Sequence, residues 1–310
     1  MHLSVFRGAP VRKTGAFAAL LVLAGAGVSA CSGTSNAAKA RTRHRPASVV
    51  SKVLPAPKDL LAASSPQPNG TVWVLSGTPV VRTLTDIDLS DGKELTQVGV
   101  SNSASSVAES PTGVLALGLA TRATGAVELL NATSGAVEGS VAVGAPVRAV
   151  AFGSDGVTLY VLNGNAASTS VATVNTTTDK VVASFGVAKD AISLAPDPSQ
   201  SAVWTLDRSG VVEEISLSSG KPVADFSLGN PGISVAASPA GGTIYVLKGT
   251  PAGSNIAVVS TVTDSVKELL AAAAGSVALA VSPTGQVLYD FVGTPTVGNV
   301  QVMSLGQGNT

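Results

Sequence analysis

Residues 154–164 read SDGVTLYVLNG: a turn, an aliphatic strand with one aromatic residue, and a second turn. β-Branched and aromatic residues between Asp-Gly and Asn-Gly pairs are typical of a short strand between two hairpin turns. The phrase returns along the chain as TVWVLSG from Thr71, VLALGLA from Val114, AVWTLDR from Ala202, TIYVLKG from Thr243 and VLYDFVG from Val287. The stretch is therefore one unit of an internal repeat, and the repeat decides the fold.

The aromatic residue of this phrase recurs at a regular interval. The strand aromatics are Trp73, Tyr160, Trp204, Tyr245 and Tyr289, which are 87, 44, 41 and 44 residues apart. The first interval is two periods, with Ala116 in the slot between them. A period of about 40 to 45 residues with four strands in each repeat is typical of β-propeller blades. We expect the aromatic side chains to fill the core between blades.

The third copy shows the four strands of one repeat most clearly. Strand-like runs cover residues 146–153, 158–164, 168–176 and 181–187, and Gly, Asp and Asn separate them. Aligning the other copies with this one places the six innermost strands near residues 58, 105, 146, 190, 232 and 276. The sequence therefore predicts an all-β fold, a six-bladed β-propeller of four-stranded antiparallel blades.

The sixth repeat lacks its outer strand, because only LGQGNT follows residues 297–304. Residues 49–54, VVSKVL, match the outer strand at 181–187, and they lead into the first inner strand. We expect them to complete the last blade with one N-terminal and three C-terminal strands, which closes the ring. Residues 266–274, VKELLAAAA, look helical but fall where an outer strand belongs. We predict a strand over the first part, VKELLA (266–271), because tertiary pairing overrides weak local propensity.

Three phrases carry a family resemblance: SPxG, as in SPTG at 110–113, YVLN at 160–163, and the pattern VxxVxTxTxKVVAxxxV at 171–187. They resemble the β-propeller repeat family called YVTN or YncE-like, and the resemblance covers about residues 49–304. It implies the propeller fold but no single activity, because the repeat is a structural consensus. Family members that act as dehydrogenases, reductases or lactone hydrolases generally rely on His, Cys, metals or a quinone cofactor.

Residues 1–30 have the pattern of a lipoprotein signal peptide. Three basic residues precede an apolar run at 16–28, which is too short to span a bilayer comfortably. The run ends in VSAC, residues 28–31, which resembles a bacterial lipobox with Val where Leu is commoner. An ordinary signal peptide with a stray cysteine is the alternative. We expect Cys31 to be lipidated and to anchor the chain in the bacterial cell membrane, facing the extracytoplasmic side.

Two further regions follow this segment. Residues 31–47 are small, polar and basic, which predicts a flexible tether, and residues 48–310 form the propeller. Of the 19 basic residues, 12 lie beyond residue 48 together with all 19 acidic residues, which gives the propeller a net charge of −7. This sign argues against nucleic acid as a partner. We expect a monomer whose partners are the membrane and an envelope protein or small ligand.

The residue types of the propeller exclude many reactions. The two histidines, His2 and His44, and the single cysteine all precede residue 48. The propeller therefore has no Ser-His-Asp triad, no cysteine nucleophile and no His-ligated metal or haem, and we predict no cofactor, no metal site and no catalytic residue. Glu213 and Glu214 are not the paired carboxylates of a glycosidase, because neighbours on a strand point to opposite faces.

Five residues are candidates for ligand binding. Asn163, Asp207 with Arg208, and Lys248 follow the second strand of successive blades, so one ring of the disc should carry them all. They bind a ligand or ion there, or they are hairpin residues that face water. Arg148 lies among aliphatic residues on an inner strand that faces the central channel. It either takes part in ligand binding or pairs with a neighbouring carboxylate.

These observations favour a non-catalytic, membrane-anchored propeller that serves as a binding platform in the cell envelope. The alternative is an extracytoplasmic propeller enzyme, a hydrolase or dehydrogenase of a sugar or lactone, that uses Asp, Arg and a divalent ion. A structural or assembly role in the envelope is the third interpretation.

Overall fold

The computed structural model describes residues 50–250 and 253–306, which form six four-stranded antiparallel sheets. The innermost strands of the sheets contact one another in cyclic order, so the sheets form a ring around a central channel. The predicted six-bladed β-propeller is therefore confirmed. The predicted signal peptide, the tether and Cys31 lie outside the described residues. Among the described residues, no helix is long and apolar enough to cross a membrane.

The first strand, β1 (Val50–Pro55), belongs to the last blade. Blade 1 comprises β2 (Leu60–Ala63), β3 (Thr71–Thr78), β4 (Val81–Asp88) and β5 (Glu94–Val100). Blade 2 comprises β6 (Ala104–Glu109), β7 (Val114–Ala120), β8 (Gly125–Asn131) and β9 (Val137–Ala142). Blade 3 comprises β10 (Val147–Phe152), β11 (Thr158–Gly164), β12 (Thr169–Asn175) and β13 (Lys180–Val187).

Blade 4 comprises β14 (Ala191–Pro196), β15 (Ala202–Asp207), β16 (Val211–Ser216) and β17 (Lys221–Ser227). Blade 5 comprises β18 (Gly232–Ala237), β19 (Thr243–Thr250), β20 (Gly253–Ser260) and β21 (Ser265–Ala271). Blade 6 comprises β22 (Ser276–Val281), β23 (Val287–Gly293) and β24 (Gly298–Ser304), followed in space by β1.

Strand β1 closes the ring as the sequence predicted. It pairs antiparallel with β24, in a register that places Leu54 opposite Val300. Leu54 is only 1% exposed and packs with Leu60 of blade 1, so the closing strand is held by apolar contacts as well as by backbone hydrogen bonds. The strand predicted for 266–271 is also present, as β21, and it ends at Ala271.

The hydrophobic core lies between neighbouring blades. Trp73 of blade 1 packs with Val107 and Leu117 of blade 2, and Tyr245 of blade 5 packs with Leu279 of blade 6. Burial of apolar surface contributes about 25 cal/mol per Å². Because this surface is buried between blades, contacts with the neighbouring blades stabilise each blade. The expectation that the strand aromatics fill this core is confirmed for the four that are buried, Trp73, Tyr160, Trp204 and Tyr245.

Candidate functional site

A bulge marks the start of every innermost strand. In β10, for example, Val147 pairs with Asn163 and Ala149 with Leu162, so Arg148 between them has no partner in the ladder. The same irregularity recurs in all six blades. The extra residues line the central channel, and together they form what we name the bulge mouth: Leu61, Ser105, Arg148, Ile192, Ile233 and Val277.

Arg148 is the one charged residue of the bulge mouth. Its side chain is 19% exposed. Its Nη1 donates to Oδ1 of Asp190 at 2.8 Å and to the carbonyl of Ala191 at 3.1 Å, and its Nε donates to the carbonyl of Gly164 at 3.2 Å. The bulge therefore turns a cationic side chain into the channel, and three acceptors hold it in place.

Asp190 joins Arg148 to a second arginine. The Nε of Arg208, whose side chain is 67% exposed, donates to Oδ2 of Asp190 at 3.2 Å. The hydrogen bond from Arg148 and the charges of both guanidinium groups hold the pKa of Asp190 below its usual value. We name these three residues the arginine cluster, and two positive charges share one negative charge in it.

Sequence reasoning considered a carboxylate partner for Arg148 but did not identify Asp190. The sequence does carry a signal, because Lys189–Asp190 and Lys58–Asp59 precede inner strands in the same way. Both aspartates have positive φ, 54° at Asp190 and 51° at Asp59. Asp tolerates this left-handed conformation better than most residues, so the turn explains its presence at both positions.

Asn163, Asp207 and Lys248 occupy equivalent places in three blades. Each pairs with the first residue of its inner strand, Val147, Ala191 and Gly232 in turn. The structure therefore places these three candidates in one ring, next to the bulge mouth.

The polar atoms of these three side chains have protein partners. Asn163, 3% exposed, donates to the carbonyl of Val143 and accepts a hydrogen bond from Ser170. Lys248, 7% exposed, donates from Nζ to the carbonyl of Leu228 at 2.8 Å. Val143 precedes β10 of the blade that contains Asn163, and Leu228 precedes β18 of the blade that contains Lys248. Each side chain therefore binds the segment that connects its blade to the preceding blade.

Asp207 stabilises a turn. Its carboxylate accepts hydrogen bonds from Ser209 and from the backbone N–H of Val211, which is the local bonding that favours Asp in turns. Of the five candidates, Arg148 and Arg208 are brought together through Asp190, whereas Asn163, Asp207 and Lys248 are occupied by their own loops and turns.

The channel has a second opening at the other end of the inner strands. A cavity of about 300 Å³ lies there, and we name it the proline mouth. It is lined by the hairpins that follow the inner strands, and its prolines are Pro66, Pro68, Pro111, Pro196, Pro198, Pro239 and Pro283. Glu109 also lines it. Sequence reasoning missed Glu109, although aligning the repeats gives a signal: the residues at the same position in the next four blades are apolar.

Within residues 50–250 and 253–306, no group of three or more His, Cys, Asp or Glu side chains is placed to hold a metal ion. Comparison with protein-family models and with curated proteins finds no match. Among solved structures, the Hydrazine Synthase of Kuenenia stuttgartiensis matches with a TM-score of 0.60 and 16% identity, over 76% of this chain and 74% of that chain. At this level of identity the likeness shows the fold alone.

Proposed function

We propose that this chain is a lipid-anchored, extracytoplasmic binding module of the bacterial cell envelope, and that its bulge mouth binds an anionic group of an envelope protein or small ligand. The observation that carries the proposal is the arginine cluster. Two guanidinium groups share the single carboxylate of Asp190 at the opening of the channel. The cluster therefore retains one net positive charge.

The donors of the cluster suit a planar anion. A guanidinium group has five N–H donors in a fixed fork, which matches a carboxylate or phosphate in two parallel hydrogen bonds. Arg148 uses Nε and Nη1 for protein acceptors, and Arg208 uses only Nε among the described residues. The Nη2 of Arg148 and both terminal nitrogens of Arg208 are thus left for a ligand. The aliphatic residues of the bulge mouth would exclude water from these bonds.

The N-terminal sequence supports the envelope location. The lipobox-like VSAC would direct a lipid to Cys31, and two acyl chains anchor a protein stably where one is marginal. A flexible chain of the tether's length spans about 20 to 25 Å, so the propeller would work close to the membrane surface. The phrases that resemble the YVTN repeat support the propeller fold, but they do not point to one activity.

The function is tested by photo-cross-linking in intact cells. A photoreactive amino acid replaces Leu61 at the bulge mouth, and a matched position is Val223, an exposed residue on outer strand β17. We expect adducts from position 61 that are at least tenfold weaker with Arg148→Gln, and few adducts from position 223. Cys31→Ala should move the protein out of the membrane fraction.

Adducts of equal strength from both positions would contradict binding at the bulge mouth, as would adducts that Arg148→Gln leaves unchanged. Membrane retention of Cys31→Ala would contradict the lipid anchor. Turnover of a sugar or lactone by the purified chain would instead favour the enzymatic alternative.

A further inference from the structure

The proline mouth has the size and walls of a small-molecule site. Its volume of about 300 Å³ is at the lower end of the range for ligand pockets. Proline rings from five blades and the side chains of Ala151, Phe152 and Val281 make its walls largely apolar. Six of the seven prolines lie in the hairpins and Pro196 ends β14, so the cavity is present in the structure without a ligand.

Glu109 occupies a position that is apolar in the next four repeats. It is the last residue of β6 and pairs with Leu115. The residues with the same pairing in the next four blades are Phe152, Pro196, Ala237 and Val281. The repeat therefore replaces an apolar side chain with a carboxylate in one blade only, at the edge of the cavity.

No described residue forms an ion pair with this carboxylate. Glu109 lines the cavity, but its Oε2 is itself inaccessible to solvent and has no hydrogen-bond partner among the described residues; the same holds for Oδ1 of Asp86. The oxygen that a ligand in the cavity would reach is therefore Oε1. Gln67 donates to the backbone carbonyl of Glu109 and not to its side chain. Burial, and then the charge of Asp86, raises the pKa of Glu109 to about 7. Burial likewise raises the pKa of Asp86.

No basic residue compensates for this charge from the walls of the cavity. The titratable residues that line the proline mouth are Glu109 and Asp197, and neither lysine nor arginine lines it. A desolvated carboxylate beside another acid gains most from a cation that replaces the lost hydration. The occupant that complements this cavity in charge is therefore positive.

The residues that line the cavity favour an organic cation over a metal ion. Calcium and magnesium need several oxygen ligands, and no group of three acidic residues is placed to supply them within the described part of the chain. Proline rings instead favour an apolar body of similar size. We propose that the proline mouth binds a small organic cation with an apolar ring, whose ammonium group lies beside Glu109 and whose ring packs against the prolines.

This site is distinct from the one proposed at the bulge mouth, and its test is independent. The probe is benzyltrimethylammonium, whose charge does not change with pH, and binding to the full chain is measured by calorimetry at pH 8.0 and pH 5.5. Benzyl alcohol, benzoate and calcium chloride are the neutral, anionic and metal controls. We expect millimolar or tighter binding of the ammonium compound at pH 8.0, and at least tenfold weaker binding of each control.

Two comparisons assign the effect to Glu109. With a pKa of about 7, Glu109 is about 90% ionised at pH 8.0 and about 3% ionised at pH 5.5, so affinity should fall about thirtyfold at the lower pH. Asp86 and Asp197 are the other acids on which this pH dependence could rest. Glu109→Gln should weaken binding at pH 8.0 at least tenfold and abolish most of the pH effect. Glu94→Gln, an exposed residue of β5, should change neither.

The proposal is overturned if benzyl alcohol or calcium binds as tightly as the ammonium compound, if Glu109→Gln binds like the unaltered chain, or if no binding occurs at pH 8.0. Because the pH comparison uses the unaltered chain, it stands even if Glu109→Gln proves to be poorly folded.

Discussion

The two mouths of the channel are built from the same six inner strands, but a carboxylate is paired with arginines at one mouth and lacks a basic partner among the described residues at the other. At the bulge mouth, Arg148 is bonded to Asp190 at 2.8 Å, and Arg208 adds a second contact at 3.2 Å. At the proline mouth, Glu109 has a buried oxygen with no partner in the part of the chain that the structure describes. The repeat supplies a symmetric frame, and single substitutions in individual blades give each mouth its chemistry. A carboxylate therefore stabilises the fold at one mouth and destabilises it at the other.

The largest effect is expected from Asp190→Asn, which breaks the arginine cluster. Loss of the charge leaves the half-buried Arg148 without its counter-ion, and we expect unfolding to become about 2 kcal/mol easier. Asn also tolerates positive φ, so the backbone at φ 54° is not strained. The measurement is chemical denaturation at pH 7.

Asp59→Asn is the matched control, because Asp59 has φ 51° at the equivalent place and makes no ion pair among the described residues. It should change the free energy of unfolding by less than about 0.5 kcal/mol. Equal losses in the two variants would show that the turn, and not the cluster, explains the effect.

Glu109→Gln should have the opposite sign. An acid whose folded pKa is raised destabilises the fold once it is ionised, so the unaltered chain loses stability as pH rises from about 4.5 through about 7. With allowance for solvent screening, we expect the variant to be more stable by about 1 kcal/mol at pH 8 and nearly unchanged at pH 4.5. Thermal unfolding at the two pH values measures this difference. A loss of stability at pH 8 would mean that Glu109 has a compensating partner.

The smallest effect is expected from Arg208→Gln. This side chain is 67% exposed, and exposed ion pairs contribute about 0.5 kcal/mol or less. Denaturation should thus barely distinguish the variant, whereas anion binding at the bulge mouth should weaken. A stability loss as large as that of Asp190→Asn would contradict the view that Arg208 is held for a ligand.

The repeat made almost all of the fold predictable. A period of about 43 residues, an aromatic residue in the second strand of five of the six repeats and the match of residues 49–54 with 181–187 were enough to place the blades and the closing strand. Even β21 follows from its place in the repeat, although its local sequence favours a helix. Periodicity succeeds here because each blade buries its apolar faces against neighbours of the same strand pattern.

The site was predictable only in part, because its contacts join different repeats. Arg148 stands out in the sequence as a charge on an aliphatic strand, but its partner Asp190 is 42 residues away in the next blade. Asn163 and Lys248 share one ring as expected, but the segments between blades cover them, and the repeat pattern does not contain the path of those segments. The raised pKa of Glu109 comes from its burial and from the charge of Asp86 in blade 1, and the local sequence does not show that these two residues are close.

The contrast between the two mouths is tested most directly by one titration. Carbon-13 NMR of the side-chain carboxyl groups, from pH 3 to pH 9, follows Glu109 and Asp190 in the same sample. The account predicts a midpoint near 7 for Glu109 and a midpoint below the usual value of 3.8 for Asp190. Ordinary midpoints for both groups would contradict it, because the two mouths would then not differ in how they compensate charge.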